Sequence, residues 1–333
     1  MSRNNITLKE LAKKLSVSVS TISKALNDSH EISDATKKRI KIVAKQHNYQ
    51  PNKIALNLKF GKTNTISVVI PSIQNYFFSQ VLIGIENVIA KSPYNIIVSI
   101  TSESFKKETQ IVKTLSNGVV DGFIIAVAEE TQTTQKFHHF ESALANNKPV
   151  VMFDRVVKSI DCDKVVVDDF ESVFNATKHL INTGKKSIAL VSTIPNLSVG
   201  KSRTNGYSKA LIDASFTPLI IENSKNTIKD TVEKLFLTKS IDAIIAIDEE
   251  SSLAALKIAK KRNLQIPKQL TIIGYASKKM AENLCPELTT IYQHGFLIGQ
   301  SCAKMLLERL KNKHKPIHKK IINSTLNIRE TCL

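Results

Sequence analysis

Apolar positions in the first fifty residues recur at helical spacing. Leu8, Leu11, Ala12 and Leu15 share one face, and Thr7 followed three residues later by Glu10 forms a capping-box pattern at its start. Ser16-Val17-Ser18 interrupts the run, and Ser18 can cap a second helix. In that helix Ile22, Ala25 and Leu26 face inward, Val19, Ser20, Ser23 and Lys24 face outward, and Asn27 with Asp28 ends it. A third helix is expected from a cap at Ser33, burying Ile40, Val43 and Ala44 beneath a surface of Lys37, Lys38, Arg39, Lys41 and Lys45. Two short helices joined by a tight turn, the second presenting small polar and basic groups, have the shape of a helix-turn-helix that fits a DNA major groove.

Pro51 stops the third helix after Tyr49-Gln50, and Asn52 is a suitable cap for a further segment, Lys53 to Lys59, closed by Gly61. A helix of that length falls well short of the ~12–15 residues that are marginal in water. It is expected to form only when two copies pack on DNA, with Leu58 wedged into the minor groove.

From residue 63 the pattern changes to short apolar runs alternating with amphipathic segments. The runs Ile66–Ile70, Ile96–Ile100, Gly122–Val127 and Val150–Phe153 alternate with helices near 78–91, 105–115 and 135–146. A second series follows, with strands Lys164–Val167, Ile188–Val191, Leu219–Ile221, Ala243–Ile247 and Leu270–Ile273. Such alternation implies parallel sheets covered by helices. About 270 residues exceed what one core usually organises, so two α/β lobes with a cleft between them are expected. The last helix, near 296–310, and the apolar stretch 317–328 are read as crossing back between lobes.

Charge sharpens this picture. Of 333 residues, 47 are Lys or Arg and 29 are Asp or Glu, a formal net charge of +18, which favours polyanionic partners. Residues 1–62 hold thirteen of the basic and four of the acidic residues, so half the excess sits in less than a fifth of the chain. A general bias toward Lys accounts for the milder excess of the body but not for that head. Cys162, Cys285, Cys302 and Cys332 are too scattered for a disulfide framework or a cysteine zinc site. The N-terminus has no apolar leader core and no run is long enough for a membrane helix, so a cytoplasmic location is expected.

The chain lacks the chemistry of the common enzyme classes. Pro316 breaks the helix that would align His314 with His318, and His138-His139 has no partner pattern, so no metal is expected. Gly61-Lys62-Thr63 and Gly184-Lys185-Lys186-Ser187 lack the earlier glycine of a phosphate loop. No G-x-S-x-G elbow is present, and neither a catalytic residue nor a cofactor is assigned.

The runs Thr7–Ala12 and Val17–Asn27, then Tyr49-Gln50-Pro51-Asn52 and Ala55–Lys59, resemble the lactose/galactose-repressor family of bacterial transcription regulators. The resemblance continues through Asn75–Phe78, Phe153-Asp154-Arg155, Arg203-x-x-Gly206-Tyr207, Pro286–Gln293 and Arg329-Glu330, covering about Ile6 to Thr331. It implies that Val19, Ser20 and Lys24 read base edges, that hydroxyls near Thr21 and Ser23 hold phosphates, and that Leu58 enters the minor groove at the centre of a palindrome. The chemistry suits these roles: Val19 can touch a thymine methyl, Lys24 can donate to guanine, and Ser20 suits either a base or a phosphate. Thr7, Ser18, Asn27, Tyr49, Asn52, Ala55 and Lys59 complete the candidate DNA-binding set. Lys24 stands where the family more often has Arg, which leaves its preferred base open.

In the body the resemblance implies a dimeric fold like that of periplasmic sugar-binding proteins. Ligands of open α/β sheets sit beyond the carboxyl ends of the strands. The candidate effector residues there are Asn75, Phe77, Phe78, Asp154, Arg155, Arg203, Asp248, Tyr275 and Gln293. Carboxylates and a guanidinium can grip vicinal hydroxyls while an aromatic face covers a sugar ring. Two departures stand out: Asp248-Glu249 replaces the usual Asn-Asp, and Tyr275-Ala276 replaces Phe-Asp, which removes one gripping carboxylate.

The expected fold is thus an all-α helix-turn-helix head over 1–51, a hinge helix and linker over 52–62, and a two-lobed periplasmic-binding-protein-like α/β body over 63–333. Lobe 1 is expected at about 63–160 plus 292–325, and lobe 2 at about 161–291 plus 326–333. The expected function is a homodimeric regulator, of repressor type, that binds a near-palindromic double-stranded operator and is controlled by a small effector of carbohydrate class. A solute-capture receptor and an enzyme acting on DNA or sugar are the rival readings.

Overall fold

The structure is a computed structural model that describes residues 6–49 and 62–332. Asn52, Ala55, Leu58 and Lys59 of the expected hinge helix lie outside the described residues. The chain divides into two compact units, Met1–Thr63 and Asn64–Leu333.

In the first unit the apolar spacing closes three helices, α1 (Leu8–Leu15), α2 (Val19–Leu26) and α3 (Asp34–Gln46), on one core of Leu11, Leu15, Ile22, Ala25, Ile40 and Ala44. The Thr7 hydroxyl accepts from the Glu10 amide at 3.3 Å while the Glu10 carboxylate accepts from the Thr7 amide at 2.7 Å, a complete capping box. Ser16 ends α1 in the left-handed region (φ 53°), which turns the chain sharply enough for Ser18 to start α2 within three residues.

The second unit holds two six-stranded sheets of matching order. In the first, β11-β5-β4-β3-β1-β2, all neighbours are parallel: β1 (Thr65–Ile70), β2 (Asn95–Ile100), β3 (Gly122–Ile125), β4 (Val150–Phe153), β5 (Asp163–Val167) and β11 (Lys319–Ile322). In the second, β12-β10-β9-β8-β6-β7, the strands β6 (Ile188–Ser192), β7 (Leu219–Glu222), β8 (Ala243–Ala246), β9 (Thr271–Gly274) and β10 (Thr289–Tyr292) are parallel. The edge strand β12 (Thr325–Asn327) pairs antiparallel to β10. Apolar clusters line each sheet on both faces, which is why the inner strands read as continuous runs of Val, Ile and Phe.

Three readings are corrected. Lys164–Val167, expected to open lobe 2, is β5 and pairs with β4 in the first sheet, moving the boundary from about residue 160 to residue 168. Helix α8 (Asp169–Asn182) is the element that crosses, burying Val173, Ala176 and Leu180 against Tyr207 and Leu211 of lobe 2. The helix expected over 135–146 is two, α6 (Glu129–Thr134) and α7 (His138–Ala145), because Gln135 takes a left-handed conformation between them. A further helix, Lys278–Asn283, and strand β10 were not foreseen.

Helix α13 (Gly295–Lys311) returns the chain to lobe 1 and packs on α4 (Tyr76–Ile89) at backbone distance. A Cβ on Gly84 would lie 2.1 Å from the Phe296 carbonyl oxygen, and one on Gly299 would lie 2.0 Å from that of Val81. The chain therefore passes between lobes at Asp168, at Gln293-His294 and at Asn323-Ser324. These crossings are tied together: the Ser324 amide donates to Asp168 Oδ1 at 2.8 Å, and His294 Nε2 lies 2.8 Å from Thr325 Oγ1.

Candidate functional site

On the head, α2 presents Val19 and Ser20 to solvent, Val19 at 40% exposure, while Thr21, Ser23 and Lys24 are half-buried along the same helix. Several members of the candidate set already have structural tasks. Ser18 caps α2 by accepting from the Thr21 amide at 3.0 Å, the Asn27 side-chain amide donates to the Ser23 carbonyl at 2.8 Å, and Tyr49 packs against the core. Lys24 is ion-paired with Glu31. To reach a base edge it must exchange that carboxylate for an acceptor on DNA.

In the body the carboxyl ends of both sheets face one cleft of ≈ 280 Å³, which lies at the small end of ligand pockets. All nine candidate effector residues line it, five of lobe 1, three of lobe 2, and Gln293 at a crossing. Asp154 follows β4 directly in the left-handed region (φ 57°), where a non-glycine residue costs about 1–3 kcal/mol. Among the described residues its buried carboxyl makes only a 3.9 Å ion pair with Arg155 Nε. Burial holds its pKa above the usual carboxylate range, against the pull of Arg155 and Arg203.

Arg203, on α9 (Ser198–Asp213), donates from Nε to Asp169 Oδ1 at 2.7 Å and from Nη1 to the Ile247 carbonyl at 2.7 Å. Its guanidinium lies 4.2 Å from the centre of the Tyr275 ring. Burial works against its charge, but Tyr275, Asp169 and Asp154 together more than offset this and hold the guanidinium charged. Burial pushes the Asp169 carboxyl up to about 6, with Arg203 opposing. At neutral pH the pair is therefore ionised, leaving Arg203 Nη2 and both Asp154 oxygens as open donor and acceptors for a ligand.

The remaining candidates differ in what they have left to offer. Asp248 is largely engaged: it accepts from the Thr193 amide at 2.7 Å, the Thr193 hydroxyl at 2.8 Å and the Ser251 amide at 2.9 Å. Arg155 is clamped by both Glu103 oxygens at 2.8 Å and lies 5.5 Å from the Phe78 ring centre, and its buried Nε makes no hydrogen bond. Asn75 Oδ1 caps α4, accepting from the Phe77 amide at 3.0 Å.

The sequence reading missed Asp169, Glu103 and an interlobe contact. Asp169 lies just past β5, within reach of the rule that found the others, but no residue after that strand was named. Gln132 of α6 bridges the lobes: its Nε2 donates to Ser198 Oγ at 3.1 Å and its Oε1 accepts from the Ser198 amide at 3.1 Å, capping α9 from the opposite side. No spacing in the sequence marks that pair. Of the histidines set aside above, His139 is buried 2.9 Å from Glu108, while His314 and His318 are exposed. Among the described residues no helix is long and apolar enough to cross a membrane.

Comparison with known proteins gives two matches to family models: bacterial regulatory proteins of the lacI family over residues 7–52, and a periplasmic binding protein-like domain over 177–332. Among curated relatives, the HTH-type transcriptional repressor PurR of Aliivibrio fischeri (strain ATCC 700601 / ES114) is 28% identical, the match covering 92% of each chain. The ribose operon repressor of Haemophilus influenzae is 28% identical over 98% of each. Among solved structures, the lac repressor dimer bound to operator and the anti-inducer ONPF matches with a TM-score of 0.86 at 20% identity, covering 99% of this chain and 100% of that one. A regulator from Enterococcus faecium with bound ribose matches at 0.72 and 26% identity, over 80% of this chain and 98% of that one.

Proposed function

Because the chain belongs to the LacI family of bacterial regulatory proteins, joining a helix-turn-helix domain to a periplasmic-binding-protein-like domain, we propose that it is a cytoplasmic, homodimeric transcriptional repressor that releases or grips its operator according to a carbohydrate bound in the cleft. The relatives are repressors, and no enzymatic role is assigned. The observation that carries the effector reading is the buried group of Asp154, Arg203 and Tyr275, which faces the cleft with hydrogen-bonding capacity unspent beside an aromatic ring. A sugar satisfies such a group through its hydroxyls and covers the ring with its C–H face. Ala276 lines the same cleft without a polar side chain, which favours a sugar bearing an apolar or absent substituent there.

Exposed apolar side chains support the dimer reading. Val98 and Ile100 are exposed on the edge strand β2 of the first sheet and Ile83 on the helix before it, and Ile220 is exposed on the edge strand β7 of the second with Ile212 and Leu237 on the helices that precede and follow it. On the head, Val19, Ser20 and Lys24 are assigned to base edges and Thr21 and Ser23 to phosphates. Leu58 is assigned to the minor groove.

The test is a selection from random duplexes with the full chain, followed by binding of the Leu58→Ala variant. A near-palindromic sequence should be enriched, and the variant should lose affinity for it by tenfold or more while retaining nonspecific binding. No preferred sequence would refute the regulator reading, and equal losses on both duplexes would refute the wedge.

A further inference from the structure

The body carries a net charge of +9 over residues 63–333, and +5 of it falls within residues 311–320. Residues 311–321 are exposed without interruption and contain five lysines, two histidines and no acid. Lys311, Lys313, Lys319 and Lys320 have no ion pair among the described residues; only Lys315 is paired, with Glu308.

This stretch is nonetheless held in place. Arg309 forms a two-pronged ion pair with buried Asp163, at 2.9 and 2.8 Å, and its remaining donors grip the carbonyls of Lys315 and, at 3.0 Å, Pro316. Asp163 also accepts from the His318 amide at 2.8 Å, and the Lys164 amide donates to the His318 carbonyl at 3.0 Å. One largely buried pair thus fixes the backbone of a strap whose lysines are exposed, four of them without an ion pair among the described residues, so little ordering remains to be done when they meet a partner.

The strap lies at a defined place in the sheet. All six strands of the first sheet are parallel, so the loop preceding β11 emerges at the same edge as Asn64, the first residue of the body. Four strand spacings separate β11 from β1, roughly 19 Å, or about six base-pair steps of duplex. Lys91 and Lys148, in the loops before β2 and β4, lie at that edge too, alongside Asp121 and Asp161 ahead of β3 and β5, whereas Glu103, Asp154 and Asp168 occupy the opposite one. Lysines also discourage edge-to-edge sheet pairing, which accounts for Lys319 and Lys320 on the edge strand β11. It does not account for Lys311, Lys313 and Lys315, nor for the anchoring by Arg309.

We propose that the strap 311–320 is a second DNA contact, made by the body rather than the head, that binds backbone phosphates of the duplex flanking the operator. The inference rests on the DNA-binding function proposed above. It predicts that affinity depends on flanking DNA that the heads never touch.

The experiment uses the full chain and its selected operator as two duplexes, one trimmed to the half-sites and one extended by about ten base pairs at each end, with affinity measured against salt. Each phosphate neutralised steepens the slope of log K against log salt by about 0.9, so two contacts per chain in a dimer add roughly 3–4 on the extended duplex. Replacing Lys311, Lys313, Lys319 and Lys320 by Gln should abolish that increment, weaken the extended duplex at least tenfold and leave the trimmed duplex unchanged. The corresponding Lys→Arg variant should retain it, which separates lost charge from lost folding. Equal wild-type slopes on the two duplexes, or equal losses on both, would overturn the proposal; the first is also the outcome if the strap serves an acidic protein instead. A selection yielding no preferred duplex would overturn the proposed function as well, whereas a flank-independent slope on a preferred duplex overturns the strap alone.

Discussion

Replacing Gln132 by Ala removes the side chain that bridges the two lobes. Both of its hydrogen bonds to Ser198, each 3.1 Å, are made between the lobes, and they hold the first turn of α9, the helix that carries Arg203. Each is worth about 0.5–1.5 kcal/mol net, so the closed arrangement loses about 1–3 kcal/mol relative to an open one. That corresponds to roughly a 5- to 150-fold change in the ratio of the two states. The bonds do not lie within either lobe's core, so the cost to global stability should be smaller than the shift in closure. Small-angle scattering of the ligand-free protein should show a larger radius of gyration. Affinity for a cleft ligand should fall by the same factor as the closed fraction. The reasoning is refuted if ligand affinity is unchanged, or if melting temperature collapses while the compactness of the folded protein stays as it was.

Other expectations follow from the same geometry. Arg309→Met leaves Asp163 buried without its cation and frees the strap carbonyls, and it should destabilise the body by about 3–5 kcal/mol in urea melts; a loss below 1 kcal/mol would show the pair to be dispensable. Native protein treated with a thiol reagent near pH 8 should label rapidly at exposed Cys285 alone, since Cys162, Cys302 and Cys332 are buried and burial pushes the Cys162 thiol up to about 11; more than one fast thiol would contradict this burial. Asp169 keeps its proton in the native state up to about pH 6 against an ordinary value of 3.8, so between these values the native state binds more protons and stability falls as pH rises. The melting-temperature difference between wild type and Asp169→Asn should therefore shrink from pH 4 to 7, and a growing difference would mean that attraction to Arg203 outweighs burial.

Local order was legible where a short-range rule decides it. The caps at Thr7, Ser18 and Ser33 and the spacing of Leu11, Leu15 and Ile22 placed the three head helices. The inner strands announced themselves as apolar runs because both of their faces are covered. What the sequence hid was partnership over long separations. Lys164–Val167 looks like any other strand, and only its pairing with β4 assigns it to lobe 1. Gln132 and Ser198 lie 66 residues apart and meet only because two separately folded lobes face each other. Asp248 was read as a gripping residue, and two of the three donors around it, the Thr193 amide and hydroxyl, were invisible until β6 lay beside β8.

The central claim is that the cleft and the operator-binding head share one equilibrium. Its most direct measurement begins with the sugar from a mono- and disaccharide panel that most raises the melting temperature of the full chain. The operator dissociation constant is then determined with and without that sugar, and the sugar's dissociation constant with and without the operator. The account predicts two changes of several-fold or more that are equal in size, as linkage requires. A sugar that binds the cleft tightly and leaves operator affinity unchanged would contradict it.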